Sequence, residues 1–269
     1  MTRPYLDAPG PLLFAHRGGA KLWPENTMPA IEGGVAAGCR YLETDVHMTR
    51  DGHIVLFHDA KLDRTTDGRG LLRERSLAEL QELDAGYRFR NARGEYEFRG
   101  RGVRIVTLRQ LGAFLDGHPE VRVNLEIKQA EPSMTRALYE ELEELGLRDR
   151  ALVASANSSL VREFRRVSGG RYASSAGMAE IATFWAAVRT RTWRWIPIEY
   201  DALQVPVRHG PLEVTTRAFV RAAHARGVQV HVWTIDEPAQ MRRLLELGVD
   251  GLMSDRPDLL TEVVRSAAD

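Results

Sequence analysis

The chain has 269 residues, an apolar fraction of 43%, and 37 Lys plus Arg against 37 Asp plus Glu. That length fits one large α/β domain, and the charge balance gives no broad basic surface for nucleic acid or an anionic membrane. The single cysteine, Cys39, excludes an internal disulfide and reads as a small core residue. The first seven residues carry no apolar stretch of the kind a secretory signal needs, and no run of about eighteen apolar residues marks a transmembrane helix. A cytoplasmic enzyme is the expectation.

In chain order, short apolar runs predict strands over 12–15, 41–46, 121–127, 152–155, 172–174, 202–205, 228–233 and 251–253. Amphipathic patterns predict helices over 27–37, 134–145, 159–167, 178–189, 216–225, 238–247 and 257–266. Strands separated by helices imply βαβ units and a parallel sheet. Eight strands point to a closed (β/α)8 barrel rather than an open sheet. The rhythm breaks after the second strand, where 54–57 reads as a short extra strand and 76–83 and 109–115 as helices. The stretch from 60 to about 102 is expected to be a small inserted subdomain within one domain spanning 1–269, placed over one end of the barrel.

Chemistry concentrates near the ends of these strands. Glu43 and Asp45 are two apart in a strand, so they share a face, opposite Leu42, Thr44 and Val46. The apolar set packs outward on helices, which turns both acids into the barrel. Two such carboxylates repel and lose hydration unless a cation joins them. On the neighbouring strand Asn124, Glu126 and Lys128 share the inner face, so Glu126 becomes a third oxygen donor. Three carboxylates suit one hard divalent cation, Mg²⁺ or Ca²⁺, better than zinc; an ion-pair layer of Glu126 with Lys128 or Arg17 is the bland alternative.

His16 follows the first strand and Arg17-Gly18-Gly19 follows it, offering a guanidinium for a phosphate beside glycines that allow close approach. His58, with Asp59 next to it, supplies a second imidazole for general acid and base work. Asn26 in Pro24-Glu25-Asn26-Thr27 reads as a helix N-cap, with Glu25 free to orient His16 or Arg17 or to add to the metal shell. His47 continues the parity of Glu43 and Asp45 but is expected to lie beyond the regular strand. Gln229, His231 and Trp233 share the inner face of a later strand, either as a structural layer or, for Trp233, as a wall of the pocket. Trp185, Trp193 and Trp195 read as a helix packed on the barrel with a wet aromatic edge; a lipid-touching patch is the alternative.

Taken in order, His16-Arg17-Gly18, Pro24-Glu25-Asn26-Thr27, the Glu43-to-Asp59 run, Arg64-Thr65-Thr66, Leu125-Glu126-Ile127-Lys128, Val232-Trp233-Thr234 and Asp250-Gly251-Leu252-Met253-Ser254-Asp255 resemble the glycerophosphodiester phosphodiesterase family. The resemblance spans nearly the whole chain. It implies a (β/α)8 barrel with a subdomain inserted after the second strand. It implies His16 and His58 as the acid–base pair, Glu43, Asp45 and Glu126 as ligands of one divalent cation, and Arg17 with Lys128 on the phosphate. The implied partner is a small-molecule phosphodiester, with no nucleic acid and no integral membrane segment; a homodimer is left open. After Trp233-Thr234, Ile235-Asp236 departs from the apolar residue and Asn found in many relatives. Rival readings are a lysophospholipase D and a non-catalytic phosphodiester-binding barrel.

Overall fold

The computed structural model describes residues 3–266, so the extreme ends of the 1–269 domain assignment lie outside the described residues. Eight parallel strands form the barrel: β1 (Leu12–His16), β2 (Tyr41–Met48), β4 (Arg122–Ile127), β5 (Ala151–Ala154), β6 (Ala173–Ser174), β7 (Ala202–Pro206), β10 (Gln229–Trp233) and β11 (Gly251–Ser254). A short β3 (Ile54–Leu56) pairs antiparallel with the end of β2. A hairpin of β8 (Arg208–His209) and β9 (Leu212–Glu213) stands apart; its turn is Gly210-Pro211, with Gly210 at φ 56°, and the strands expected above do not include it. The helices are α1 (Met28–Ala36), α2 (Leu77–Gln81), α3 (Leu108–Asp116), α4 (Thr135–Glu144), α5 (Ser158–Val167), α6 (Met178–Arg189), α7 (Arg217–His224), α8 (Pro238–Leu247) and α9 (Pro257–Arg265). No helix among the described residues is long and apolar enough to cross a membrane.

The strands run in the order β6-β5-β4-β2-β1-β11-β10-β7. The circle closes through one parallel bridge, Ser175 to Ala202, supported by Ala176 N–H donating to the Ala202 carbonyl at 2.8 Å. The sequence pattern explains the two apolar layers. Leu42, Val46, Val123, Leu125 and Ile127 point outward into the main core with the helices. Leu12, Phe14, Tyr41, Leu152, Ala173, Ala202 and Met253 fill the barrel interior, closed from below by Tyr5. Fully burying one such side chain stabilises the fold by about 1.5–3 kcal/mol.

Between β3 and α3 the chain leaves the barrel. Leu62, Leu72, Leu80, Ala85, Val103 and Ile105 pack into a separate apolar cluster against Val55 and Phe57. The excursion returns beside its point of departure, where Leu56 N–H donates to the Val106 carbonyl at 2.7 Å. Both α2 and α3 start with capping boxes, Ser76 with Glu79 and Thr107 with Gln110, which satisfy N-terminal amides that nothing else would reach. The tip around Tyr87 and Tyr96 has no helix or strand; Arg99 stacks on both rings, 4.2 and 3.4 Å from their centroids.

Midway up the barrel, Gln204 donates to Asn124 at 3.0 Å, and the His231 ring meets Gln229 at 3.0 Å. His231 is fully buried, and its role is the structural layer. Burial pushes its pKa down to about 3, whereas the unfolded chain restores an ordinary value of about 6.5. Between those values the unfolded state binds more protons. The stability tied to His231 is therefore full above about pH 6.5 and declines as pH falls toward 3, by up to about 1.4 kcal/mol per pH unit. We expect His231→Gln to flatten the acid limb of a urea-unfolding series run from neutral pH to about pH 4; an unchanged limb would assign that slope to other groups.

Candidate active site

Strand register assembles the mouth. His16 on β1 lies level with Glu43 on β2, and Glu43 lies level with Asn124 on β4. One row higher, Asp45 is level with Glu126. On the other side of β1, Ala15 pairs with Ser254, so Asp255 comes up beside His16. Neighbours in parallel register share a face, so these groups converge at the C-terminal end of the strands, where barrel enzymes carry out their chemistry.

The turn after β1 is shaped by close packing. Arg17 and Gly18 adopt left-handed conformations, φ 51° and 82°. A side chain on Gly18 would come within 2.6 Å of the Ala30 backbone on α1, so only glycine fits. The turn aims the Arg17 N–H at Glu43 Oε2, 3.1 Å away. The Arg17 guanidinium donates to Glu25 at 3.0 Å. Its Nε stands 3.2 Å from Asp45 Oδ2 yet is buried without a hydrogen-bond partner among the described residues. The Asp45 carboxylate answers its charge; burial works against that charge, but Asp45, Glu25 and Glu43 together outweigh it and raise the Arg17 pKa.

The N-cap reading of Asn26 is corrected. Thr27 occupies the cap of α1 and makes no side-chain cap bond. Asn26 is buried with φ 58°. Its amide donates to Asp45 Oδ2 at 3.0 Å, and its carbonyl accepts from the Thr44 hydroxyl at 2.6 Å. The capping signature was genuine local chemistry, but a buried carboxylate is the stronger claimant for the amide.

Oxygens of Glu43, Asp45 and Glu126 all lie within 4.8 Å of one another. Burial, then the neighbouring Asp45, pushes the Glu43 carboxyl far above the usual carboxylate range. Burial works against charge on Asp45 as well, but Lys128, Arg17, His58 and the Asn26 bond outweigh it and keep Asp45 low. Lys128 Nζ reaches Asp45 at 3.1 Å and Glu126 at 2.9 Å. Both readings of the acids therefore meet at one place: an ion-pair layer with Lys128, and an oxygen-only donor set whose central member, Glu43, still lacks full compensation. That donor set fits a hard divalent cation.

Each predicted catalytic histidine is held by an aspartate. His16 Nδ1 lies 2.6 Å from Asp255 Oδ1, and His58 Nδ1 lies 2.5 Å from Asp59 Oδ1. A carboxylate only accepts, so both Nδ1 atoms carry the proton and both Nε2 atoms are left for chemistry. Burial opposes charge on His16, but Glu43 and then Asp255 raise its pKa above the ordinary value. Asp255 is itself steered by Asp236, which accepts from the Asp255 N–H at 2.8 Å and the Ser254 hydroxyl at 2.9 Å and pairs with Lys21 at 2.9 Å. The residue that departs from the family pattern thus supports the His16 side.

Arg64 joins the excursion to the barrel. It donates to Asp59 at 2.6 Å and to both oxygens of Glu25 at 2.7 and 2.6 Å. These bonds outweigh burial and hold Asp59 down to about 2, and they lower Glu25 as well. One guanidinium thereby fixes the partner of His58 and the partner of Arg17. Sequence reasoning gave neither Arg64 nor Asp255 a role. The Arg64–Glu25 and His16–Asp255 contacts join distant segments; only Asp59, five residues before Arg64, was within local reach.

The remaining expectations fall as follows. His47 lies inside β2, not beyond it, because pairing with β3 lengthens that strand; its Nε2 meets the His58 carbonyl at 3.2 Å. Trp233 ends β10, part-exposed, and lines a small cavity with Glu126, Ser155 and Gln204. Trp185 and Trp193 pack on the outer core, while Trp195 is 78% exposed. The last two sit in the loop leading into β7, at the face opposite the mouth.

Comparison with known proteins gives the family and the fold. The sequence profile of the "Glycerophosphoryl diester phosphodiesterase family" matches residues 16–259. A Mycobacterium tuberculosis protein named as probable glycerophosphodiester phosphodiesterase 2 is 36% identical, over 98% of this chain and 94% of its own. The glycerophosphodiester phosphodiesterase of Caldanaerobacter subterraneus subsp. tengcongensis is 30% identical, over 94% of this chain and 98% of its own. In fold, the glycerophosphoryl diester phosphodiesterase domain of an uncharacterized M. tuberculosis protein superposes with a TM-score of 0.83 at 22% identity, covering 96% of this chain and 99% of that one. An Oleispira antarctica phosphodiesterase, solved in complex with the product sn-glycerol-3-phosphate, superposes with a TM-score of 0.77 at 25% identity, covering 95% and 97%. From the profile match and the two relatives at or above 30% identity, the chain belongs to the glycerophosphoryl diester phosphodiesterase family.

Proposed function

We propose that this chain hydrolyses glycerophosphodiesters to sn-glycerol 3-phosphate and an alcohol, with His16 and His58 as the acid–base pair and Glu43, Asp45 and Glu126 holding one divalent cation, Mg²⁺ or Ca²⁺. The observation that carries this reading is the pairing of two aspartate-held imidazoles with three carboxylates whose oxygens lie within 4.8 Å. Product-bound Oleispira phosphodiesterase supports it by likeness. In the same reading, residues 1–269 are one catalytic domain and 60–102 a subdomain within it, whose apolar cluster is separate from the main core.

The division of labour follows from charge. Arg17 and Lys128, the two cations packed against the acids, face the non-bridging phosphoryl oxygens and balance the charge that builds on them. When bound, the cation supplies Lewis-acid polarisation of those oxygens. One imidazole Nε2 takes the proton of the attacking hydroxyl and the other returns a proton to the leaving alkoxide, so charge balances over the step. The attacking hydroxyl is either water or the adjacent glycerol hydroxyl; a cyclic phosphate intermediate in the product mixture distinguishes the second. Trp233 forms a wall for one ester arm.

A coupled assay for released glycerol 3-phosphate tests the whole reading. We expect EDTA to abolish release and His16→Ala to lower kcat/KM by at least about a hundredfold; release undiminished by both refutes it. Asn26→Ala should weaken divalent-ion affinity by about ten- to a hundredfold in calorimetric titration, because it frees Asp45 to turn; an unchanged affinity would show that the strand alone fixes Asp45. Arg64→Ala should cut kcat by about ten- to a hundredfold with little change in KM, through small displacements of His58 and Arg17. Added guanidinium should restore part of that loss; a variant that keeps full kcat rules out the clamp.

A further inference from the structure

Glu25 and Arg64 also line a cavity of about 210 Å³, together with Thr65, Arg88 and Arg90. Three guanidiniums face it against one carboxylate. That carboxylate is already engaged, since Glu25 accepts from Arg64 and from Arg17. Arg64 is likewise committed to Asp59 and Glu25. Arg88 and Arg90 are different. Arg88 donates through Nε to the Thr66 carbonyl at 3.1 Å, and Arg90 bonds the Tyr96 hydroxyl. Neither forms an ion pair with a carboxylate among the described residues.

Two further observations mark this as a prepared cleft. The Thr65 hydroxyl on its wall is buried and has no hydrogen-bond partner among the described residues. Arg90 lies over the Tyr96 ring at 4.6 Å, and that ring is sandwiched with Arg99 at 3.4 Å, so Arg90 is held by stacking rather than by charge. Two guanidiniums without a carboxylate partner, one held by a backbone carbonyl and one by ring stacking, form a donor set for an oxyanion.

We propose that this cleft is a second oxyanion subsite, filled by free phosphate or by a phosphate borne on the alcohol arm of the diester. The substrate half of this statement rests on the proposed hydrolase function; the anion-binding half does not. Inorganic phosphate titrated calorimetrically into the EDTA-treated protein tests the second. We expect Arg88→Gln/Arg90→Gln to bind it at least about tenfold more weakly than wild type at low salt; equal affinity overturns the proposal. Arg90→Glu, which leaves the Arg88 bond to Thr66 intact, gives the same readout should the double variant fold poorly.

Turnover separates the two sources. Bis(glycerophospho)glycerol carries a second phosphate on its arm, and glycerophosphoglycerol does not. If the arm is the ligand, wild type favours the former in kcat/KM beyond its statistical factor of two, and Arg88→Gln/Arg90→Gln loses that preference while hydrolysing glycerophosphoglycerol as before. Weakened phosphate binding with no change in preference assigns the cleft to free phosphate. Turnover of neither compound by wild type would count against the hydrolase reading and the arm, while the calorimetry still decides the cleft.

Discussion

Glu43 and Asp45 stand two residues apart on one strand, both almost wholly buried, and their mutual repulsion has to be met by positive charge. Taking even one carboxylate out of water costs several kcal/mol unless it is paired and hydrogen-bonded. The groups around them answer that demand in sequence. Asn26 and Lys128 hold Asp45, the Arg17 N–H and the His16 ring face Glu43, and Glu126 adds oxygens rather than charge relief. Burial and the neighbouring Asp45 still push the Glu43 carboxyl well above the usual carboxylate range, so the positive groups present do not fully offset the cost of placing three acids together.

The same constraint explains why the excursion after β3 is not a mere surface appendage. Its Arg64 reaches back to Glu25, and Glu25 in turn orients Arg17. Asp59, on the excursion side, receives the other half of the Arg64 fork and holds His58. The separate apolar cluster packs that segment against Val55 and Phe57, so contacts made by the excursion help position His58 and Arg17 at the mouth.

Much of this was legible in the sequence, for reasons that differ by residue. Alternation along β2 and β4 gives the inward face directly, because strand parity is a fixed geometric property. It yields Glu43, Asp45, Glu126 and Lys128 without any knowledge of neighbours. The helices announced themselves by period and by terminal Pro or Gly, as at Pro238 and Gly248. Asn26 misled because its local pattern is a good cap and its true partner lies nineteen residues away. Asp255 and Arg64 stayed silent because their partners are set by strand register and by the path of the excursion, which composition and period do not encode. His47 was misjudged by the length of β2, which depends on pairing with β3.

The closure of the cylinder has a consequence for access. In the circular order of strands, the junction of β6 with β7 falls directly opposite the β1–β2 pair. It is the thinnest joint of the wall, a single bridge. Ser175, which makes that bridge, also lines the small cavity beside Trp233. The most thinly paired seam of the cylinder thus borders the cavity beside Trp233, while His16, Glu43 and Asp45 stand on β1 and β2 across the ring, and Glu126 on β4 reaches from their side into that same cavity.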